Sequence, residues 1–576
     1  MIEGLRLGVD FGTSSTKVAL KLPNRAPVPL PIGDDQTTPY MPSVVTFPAS
    51  PAAGDVLVAE HAARAAEAGT TVRAVKRCLG CQGDPCDPSR CASLPWCDGS
   101  GLIRARADLR VKPEDVMRTI VLEAVRRARE AALQRFGVSL DQLEGVGMGC
   151  GACFDHHQRS LLMDVAREAF GEHVPISLID EPIATAMAYG NLSGIPPGRV
   201  LICDYGGGTF DTALLDVEGS GPGRFTLLAA DGVRWLGGDD IDLLVYERFL
   251  DAMSRQSTIP VTDHGDNLAP LERQSIRSLS TQAKESLSSE EVFDTALFSE
   301  SYGIVSLDLS REDLEQMVRS ERRFEGCTFV ERSRYCMLGT VMVTEVFRQA
   351  RDARLLDGDL ARSMNFATMG NAVDSVVMVG GVTRMPLVRQ GIAQSFGADK
   401  IIDQQVLDPI CAVAIGAAYR PPSDHFSILH PPYSIRIEFR NKQGQCLEQV
   451  ELHAAGNKLD YLGRWPTNTL PVFQMPCQSV SRRYSLPFLV FAADGKILGE
   501  APLPALDSTT IYATIDLAGR VMVNNKVTPE RFHARVPLRH RWQEDIARAE
   551  EARAQAAKED RIGKTRSTEH TMGTEN

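Results

Sequence analysis

The sequence predicts an internally duplicated α/β fold followed by a smaller β-rich domain, and three observations carry that expectation. First, Leu5, Leu7, Val9 and Phe11 alternate with Arg6, Gly8 and Asp10, the stretch Gly12-Thr13-Ser14-Ser15 interrupts, and Lys17-Val18-Ala19-Leu20 resumes. That is the grammar of a hairpin with a polar tip. Second, the same grammar returns about 195 residues later, with Val200-Leu201-Ile202-Cys203-Asp204, the turn Gly206-Gly207-Gly208-Thr209 and a return strand at Thr212-Ala213-Leu214-Leu215-Asp216-Val217. Each unit places an aspartate just ahead of a small-residue turn, as a duplication would. Third, the character changes after Arg420, where Pro421-Pro422 and Pro431-Pro432 bracket a linker and short alternating stretches follow.

The remaining elements follow from their local patterns. Residues 113–136 carry Val116, Ile120, Ala124 and Ala128 at four-residue spacing, open on Pro-Glu-Asp and stop before Gly137, which predicts a long amphipathic helix. Residues 225–230 supply a third strand beside the second hairpin. The run Ser375-Val376-Val377-Met378-Val379 reads as a buried strand that turns at Gly380-Gly381 and enters a helix near Pro386. Residues 410–420 read as a short apolar helix. The boundaries expected are 1–420 for the duplicated unit, 421–432 for the linker, 433–540 for the β-rich domain, and 541–576 for a short charged helix with a disordered tail. Strands in the third segment are expected at 434–439, 488–491 and 511–523.

The chain has 576 residues with 43% hydrophobic and 24% charged, so it can build sizeable cores. Its net charge of −12 repels phosphate backbones and anionic bilayers, which argues against nucleic acid and membrane partners. No apolar run is long enough to span a bilayer, and the N-terminus enters a strand directly without a basic leader. A cytoplasmic location is the resulting expectation.

Turns of glycine and hydroxyl residues let backbone N–H groups approach phosphate oxygens without a Cβ in the way, and a nearby carboxylate can hold magnesium through water. Both hairpins meet that specification. The run Val9-Asp10-Phe11-Gly12-Thr13-Ser14-Ser15-Thr16 resembles the first phosphate motif of the actin, sugar-kinase and Hsp70 superfamily. Asp204-Tyr205-Gly206-Gly207-Gly208-Thr209-Phe210-Asp211 resembles the second in its Hsp70 form, and Gly380-Gly381-Val382-Thr383-Arg384-Met385-Pro386 is similar to that family's adenosine motif. Ile179-Asp180-Glu181-Pro182 through Ala188-Tyr189-Gly190 resembles the connecting helix. Val75-Lys76-Arg77, Leu236-Gly237-Gly238-Asp239-Asp240-Ile241-Asp242, and Lys284 with Leu287-Ser288-Ser289 are further matches. Together they make the chain similar to the Hsp70 (DnaK-like) chaperones, as a divergent member.

The resemblance implies two lobes, each on a ribonuclease-H-like sheet of the actin/Hsp70 type, enclosing ATP or ADP with Mg2+. It implies catalytic roles for Lys76, which would steady the γ-phosphate and the attacking water, for Glu181 and Asp211, which would orient or deprotonate that water, and for Thr209, which would donate to the γ-phosphate. Nucleotide contacts are implied for Asp10, Gly12, Thr13, Ser14, Asp204, Gly206, Gly207, Gly208, Gly238, Lys284, Ser288, Gly380, Gly381 and Arg384, with hydrated magnesium on Asp10 and Asp204. The activity implied is ATP hydrolysis coupled to a conformational change that modulates polypeptide binding by the C-terminal β domain. Client polypeptides, a J-domain co-chaperone and a nucleotide exchange factor are the implied partners.

Departures from the family pattern are equally specific. Gly151 stands where the family has the proline that relays nucleotide state, although Arg159 is kept. Ser177 and Asp180 replace the arginine and asparagine of J-domain contact, and Thr281 replaces an adenine-contacting glutamate. Residues 325–360 leave the pattern altogether. Only about 35 residues follow Arg541, against the roughly 100 that a multi-helix lid takes, so no such lid is expected.

Five of the thirteen cysteines, Cys78, Cys81, Cys86, Cys91 and Cys97, cluster immediately after Lys76. Three readings stand: ligands of zinc or an iron–sulfur cluster, with Cys78 and Cys81 as the best pair, scattered thiols, or a redox disulfide. Two rival functions also stand. Lys17 resembles the sugar-kinase form of the first turn and suggests a small-molecule kinase, and Gly151 with the missing lid suggests a nucleotide-binding scaffold without turnover.

Overall fold

Alternation at the N-terminus builds the expected hairpin, in which β1 (Arg6–Phe11) pairs antiparallel with β2 (Ser15–Lys21). All of β1 is buried because β3 (Gly145–Cys150) flanks it in parallel on its other edge, and β4 (Ile176–Asp180) extends the sheet beyond β3. In this computed structural model the described residues are 3–319 with short breaks, the longest at 80–95, then 372–419 with a break at 403–406, and separate strand segments between 434 and 533.

Helix α1 (Pro113–Phe136) has the predicted bounds and buries Val116, Ile120, Ala124 and Ala128. Its ends are set locally: Pro113 occupies the first turn, and Gly137 at φ 64° turns its N–H back to the carbonyls of Ala132 and Leu133. Helix α2 (Glu181–Leu192) starts directly where β4 stops.

The second unit repeats the plan. β5 (Gly198–Tyr205) pairs antiparallel with β6 (Phe210–Glu218), β7 (Arg224–Val233) continues that edge, and β8 (Ser375–Val379) joins β5 in parallel. In both units the central strand has a hairpin partner on one side and a parallel strand on the other. Each sheet has its own core, one containing Leu7, Val9, Ile120 and Met148, the other Leu201, Cys203, Phe249 and Met378. Separate cores are what make two folding units out of one motif.

Helices α3 (Gly238–Gln256), α4 (Pro270–Ser286) and α5 (Pro386–Phe396) belong to the second unit, whereas α6 (Ala412–Ala418) returns to the first. A Cβ on Gly416 of α6 would lie 1.6 Å from the carbonyl oxygen of Ala184 in α2. Only glycine permits that approach, and the late helix thereby ties the end of the second unit to the first sheet.

Further on, Ser434–Arg440, Cys446–His453, Leu486–Ala493 and Lys496–Pro502 form one four-stranded antiparallel sheet. Val472–Pro476, Thr510–Ile515, Val521–Asn525 and Phe532–His533 form another. The stretch 511–523, expected as one strand, holds parts of two, since Thr510–Ile515 pairs antiparallel with Val521–Asn525. The linker 421–432, the segment 541–576 and residues 325–360 lie outside the described residues. Among the described residues no helix is long and apolar enough to cross a membrane.

Candidate functional site

Asp10 sits one residue before the end of β1, and Asp204 occupies the matching place on β5. Antiparallel register puts Lys17 directly across from Asp10, and Asp211 directly across from Asp204. Lys17 Nζ lies 3.1 Å from Asp10 Oδ2. Lys76 lies on a 3-10 turn, Val75–Cys78, and its ammonium donates to Glu181 Oε1 at the first turn of α2. Phe154 lies under the same ammonium, its ring centroid 5.6 Å away.

The four carboxylates are almost wholly withdrawn from water, at 5% exposure for Asp10 and Glu181, 8% for Asp204 and 1% for Asp211. Their charges therefore act on one another through a medium that screens poorly. Burial first, then the neighbouring Glu181, Asp211 and Asp10, holds the Asp204 carboxyl well above the usual carboxylate range, with Lys76 opposing. Burial also raises Glu181, against the pull of Lys76. For Lys76 burial works against the charge, but Glu181, Asp10 and Asp211 outweigh it and keep the ammonium protonated. Residues from four distant stretches thus share one electrostatic site. Its carboxylates outnumber the two ammoniums of Lys17 and Lys76, and its donors are hard oxygens.

Such a set fits Mg2+. Among the described residues no three His, Cys, Asp or Glu side chains are grouped to ligate a metal directly.

The two glycine-bearing turns face each other across the units. Ser14 Oγ donates to Asp239 Oδ1 at 3.1 Å, and a Cβ on Gly207 would fall 1.8 Å from Ser14 Oγ. Thr13 and Thr209 are both buried beside these turns. Arg77, next to Lys76, reaches from the first unit to the second: its Nε donates to the Gly208 carbonyl at 3.0 Å, and its two terminal nitrogens donate to Asp240 Oδ1 and Oδ2 at 3.1 and 2.7 Å. The sequence shows Arg77 only as a neighbour of Lys76. Its sole signal is an acidic partner in a motif more than a hundred and sixty positions away, which no spacing rule connects.

Towards the outer part of the site, Lys284 Nζ lies 2.7 Å from Asp242 Oδ1 and donates to the Gly238 carbonyl at 3.3 Å. A Cβ on Gly238 would lie 3.0 Å from Lys284 Nζ and 3.2 Å from Val382, so the Gly238, Lys284 and Gly380–Arg384 segments converge. Thr281, at the position of the family glutamate, donates to Asp242 Oδ2 at 3.0 Å. Ser288 donates back to the Lys284 carbonyl at 3.4 Å. Gly380 adopts φ +83° and a Cβ there would lie 2.1 Å from the Tyr205 carbonyl, which brings its loop against the end of β5. Arg384 is drawn outward, pairing with Asp408 at 3.2 Å where both are exposed.

Of the clustered cysteines, Cys78 is buried on the Lys76 turn and Cys97 is half-buried. Cys81, Cys86 and Cys91 lie outside the described residues. Gln158 fixes the start of that segment by donating to the Leu79 carbonyl at 2.8 Å.

Comparison with known proteins gives one family. A family model described as Hsp70 protein matches residues 6–326 and 361–422, and the interruption falls in the stretch that departs from the family pattern. A chaperone protein HscA homolog of Bordetella petrii is 31% identical over 420 residues, covering 72% of this chain and 57% of the relative. A chaperone protein HscA homolog of Burkholderia multivorans is 29% identical over 417 residues, with the same coverages of 72% and 57%. One from Burkholderia pseudomallei is 30% identical over 417 residues. The chain therefore spans a little over half the length of these relatives.

Proposed function

This chain belongs to the Hsp70 family, and from that premise we propose that it is an ATP-hydrolysing chaperone whose nucleotide cycle modulates polypeptide binding by the C-terminal β sheets. One observation carries the reading: Asp10, Lys76, Glu181, Asp204 and Asp211, from four separate stretches, share one buried electrostatic site between two glycine-bearing turns.

Each residue then has a task that follows from its surroundings. Gly12, Thr13 and Ser14 on one side, and Gly206 to Thr209 on the other, offer backbone amides and hydroxyls to the phosphates. Lys76 stays an ammonium, so it serves as a donor and a fixed charge rather than as a base. Glu181 takes up a proton more readily than an ordinary carboxylate, which suits it to receive one from the attacking water. Asp211 orients that water from the opposite hairpin. Mg2+, when bound through water to Asp10 and Asp204, supplies charge neutralisation to the triphosphate. Phosphoryl transfer asks little else of a protein than positioning and charge stabilisation. Gly238, Lys284 and the Gly380–Arg384 loop frame the adenosine.

Each C-terminal sheet ends, among the described residues, in strands with a single paired neighbour, and edge strands of that kind accept an extended polypeptide by backbone pairing. A J-domain co-chaperone and a nucleotide exchange factor remain the partners that this function would use, and Cys78 to Cys97 remain open to a zinc or iron–sulfur ligand role.

The test is phosphate release from ATP by purified chain with no small-molecule acceptor, with and without unfolded polypeptide. Turnover that changes with polypeptide is the expected result. Turnover only with a small-molecule acceptor would point to a kinase, and none at all to a scaffold.

A further inference from the structure

In the second unit a hairpin of Val292–Ser299 and Gly303–Ser310 turns one face to the core, where Leu297, Val305 and Leu307 are buried. Its other face is unusual for one open to water. Phe298 is 73% exposed and Ile304 77%, and register sets the two directly across from each other. Four residues along the strand, roughly 13 Å away and on the same face, Asp294 stands directly across from Asp308. Like charges placed opposite one another weaken a sheet. Both are exposed, and among the described residues neither carboxylate has a hydrogen bond or ion pair. A face that is apolar at one end and acidic at the other, at a cost to its own hairpin, is complementary to a segment bearing large apolar side chains beside positive charge.

The chain carries such a segment. Residues 531–542 hold Arg531, Arg535, Arg539 and Arg541 together with Leu538 and Trp542, and no Asp or Glu. No other acid-free run of twelve residues has as many basic side chains, in a chain whose net charge is −12. Being tethered, it is present at a local concentration that a separate protein reaches only when abundant. We propose that this face is the docking site of residues 534–542 of the same chain, with their apolar side chains on Phe298 and Ile304 and their arginines on Asp294 and Asp308. Such a contact bears on the nucleotide site, because Arg311 at the end of the hairpin donates to the Leu287 carbonyl at 2.8 Å, just past the end of α4 with its Lys284.

The experiment replaces Phe298 in the full chain with the photoreactive p-benzoylphenylalanine, irradiates dilute protein, and maps the cross-links by mass spectrometry. Cross-links to 534–542 within one chain are expected. Arg539→Glu with Arg541→Glu is expected to lower their yield at least about 3-fold, and adding Asp294→Lys with Asp308→Lys to restore it. Cross-links confined to other segments, none at all, or only between two copies overturn the proposal. So does a yield that charge reversal leaves unchanged or that the swap fails to restore. Melting curves establish that each variant is folded, and position 304 takes the label should the 298 variant not fold. No nucleotide is needed, so the result stands apart from the nucleotide reading.

Discussion

Arg77 and Gly208 join the two units: the guanidinium of one donates to a glycine-turn carbonyl of the other at 3.0 Å, while its remaining nitrogens grip Asp240. The arginine side chain is 3% exposed and that of Asp240 28%, so the pair is shielded on one side only. The second turn is therefore positioned partly from the first unit. Arg77→Met is expected to cost about 1–3 kcal/mol of stability and to speed nucleotide release. Melting curves and the dissociation rate of a fluorescent ADP check this, and a double-mutant cycle with Asp240→Asn should show strong coupling. Additive effects would mean that the contact carries no energy.

Lys76 is expected to matter for chemistry more than for binding. Lys76→Met should retain nucleotide while single-turnover hydrolysis falls about 100-fold or more, because a fixed charge at the transferring phosphoryl is removed. Rapid-quench measurement decides it, and an unchanged rate would remove Lys76 from the mechanism.

Asp204 sets the sign of the pH dependence. Its carboxyl is raised in the folded chain above its ordinary value of 3.8. Between these two values the unfolded chain has lost the proton and the folded chain keeps it, so stability of the nucleotide-free protein falls as pH rises through that window. The slope is at most about 1.4 kcal/mol per pH unit for one proton, and below 3.8 the contribution is fully present. Urea unfolding across mildly acidic to neutral pH should show the fall. Asp204→Asn should flatten it, and magnesium with ADP should oppose it by favouring the carboxylate.

Gly380 is conformationally committed. Its φ of +83° and the Tyr205 carbonyl 2.1 Å from a would-be Cβ leave no room for a side chain. Gly380→Ala is expected to cost about 1–3 kcal/mol and to weaken adenine-nucleotide binding together with stability. A variant that melts like the parent would show that the loop relaxes freely.

Much of this was legible in advance, for identifiable reasons. Helix α1 came out with its predicted ends because Pro113 and Gly137 act within a turn of themselves. The duplication was legible because both hairpins set an aspartate before a small-residue turn, and β8 kept its predicted bounds because a short apolar run between turns is a local signal. Arg77 and the return of α6 to the first sheet were not legible, since each depends on a partner remote in the chain. The pairing of Arg384 with Asp408 was likewise not legible, since the two lie 24 positions apart.

By itself the sequence determined the two hairpins with their glycine turns, helix α1 and strand β8, and it set equal spacing from Asp10 to Lys17 and from Asp204 to Asp211. Only the tertiary structure decided that Glu181 would face Lys76, that Arg77 would reach Gly208, and that Glu181, Asp211 and Asp10 would lie close enough to raise the Asp204 carboxyl. The reason is physical: periodicity and turn chemistry act between neighbours along the chain, whereas Coulomb attraction and burial depend on distance in space, which is fixed only once the two sheets have packed.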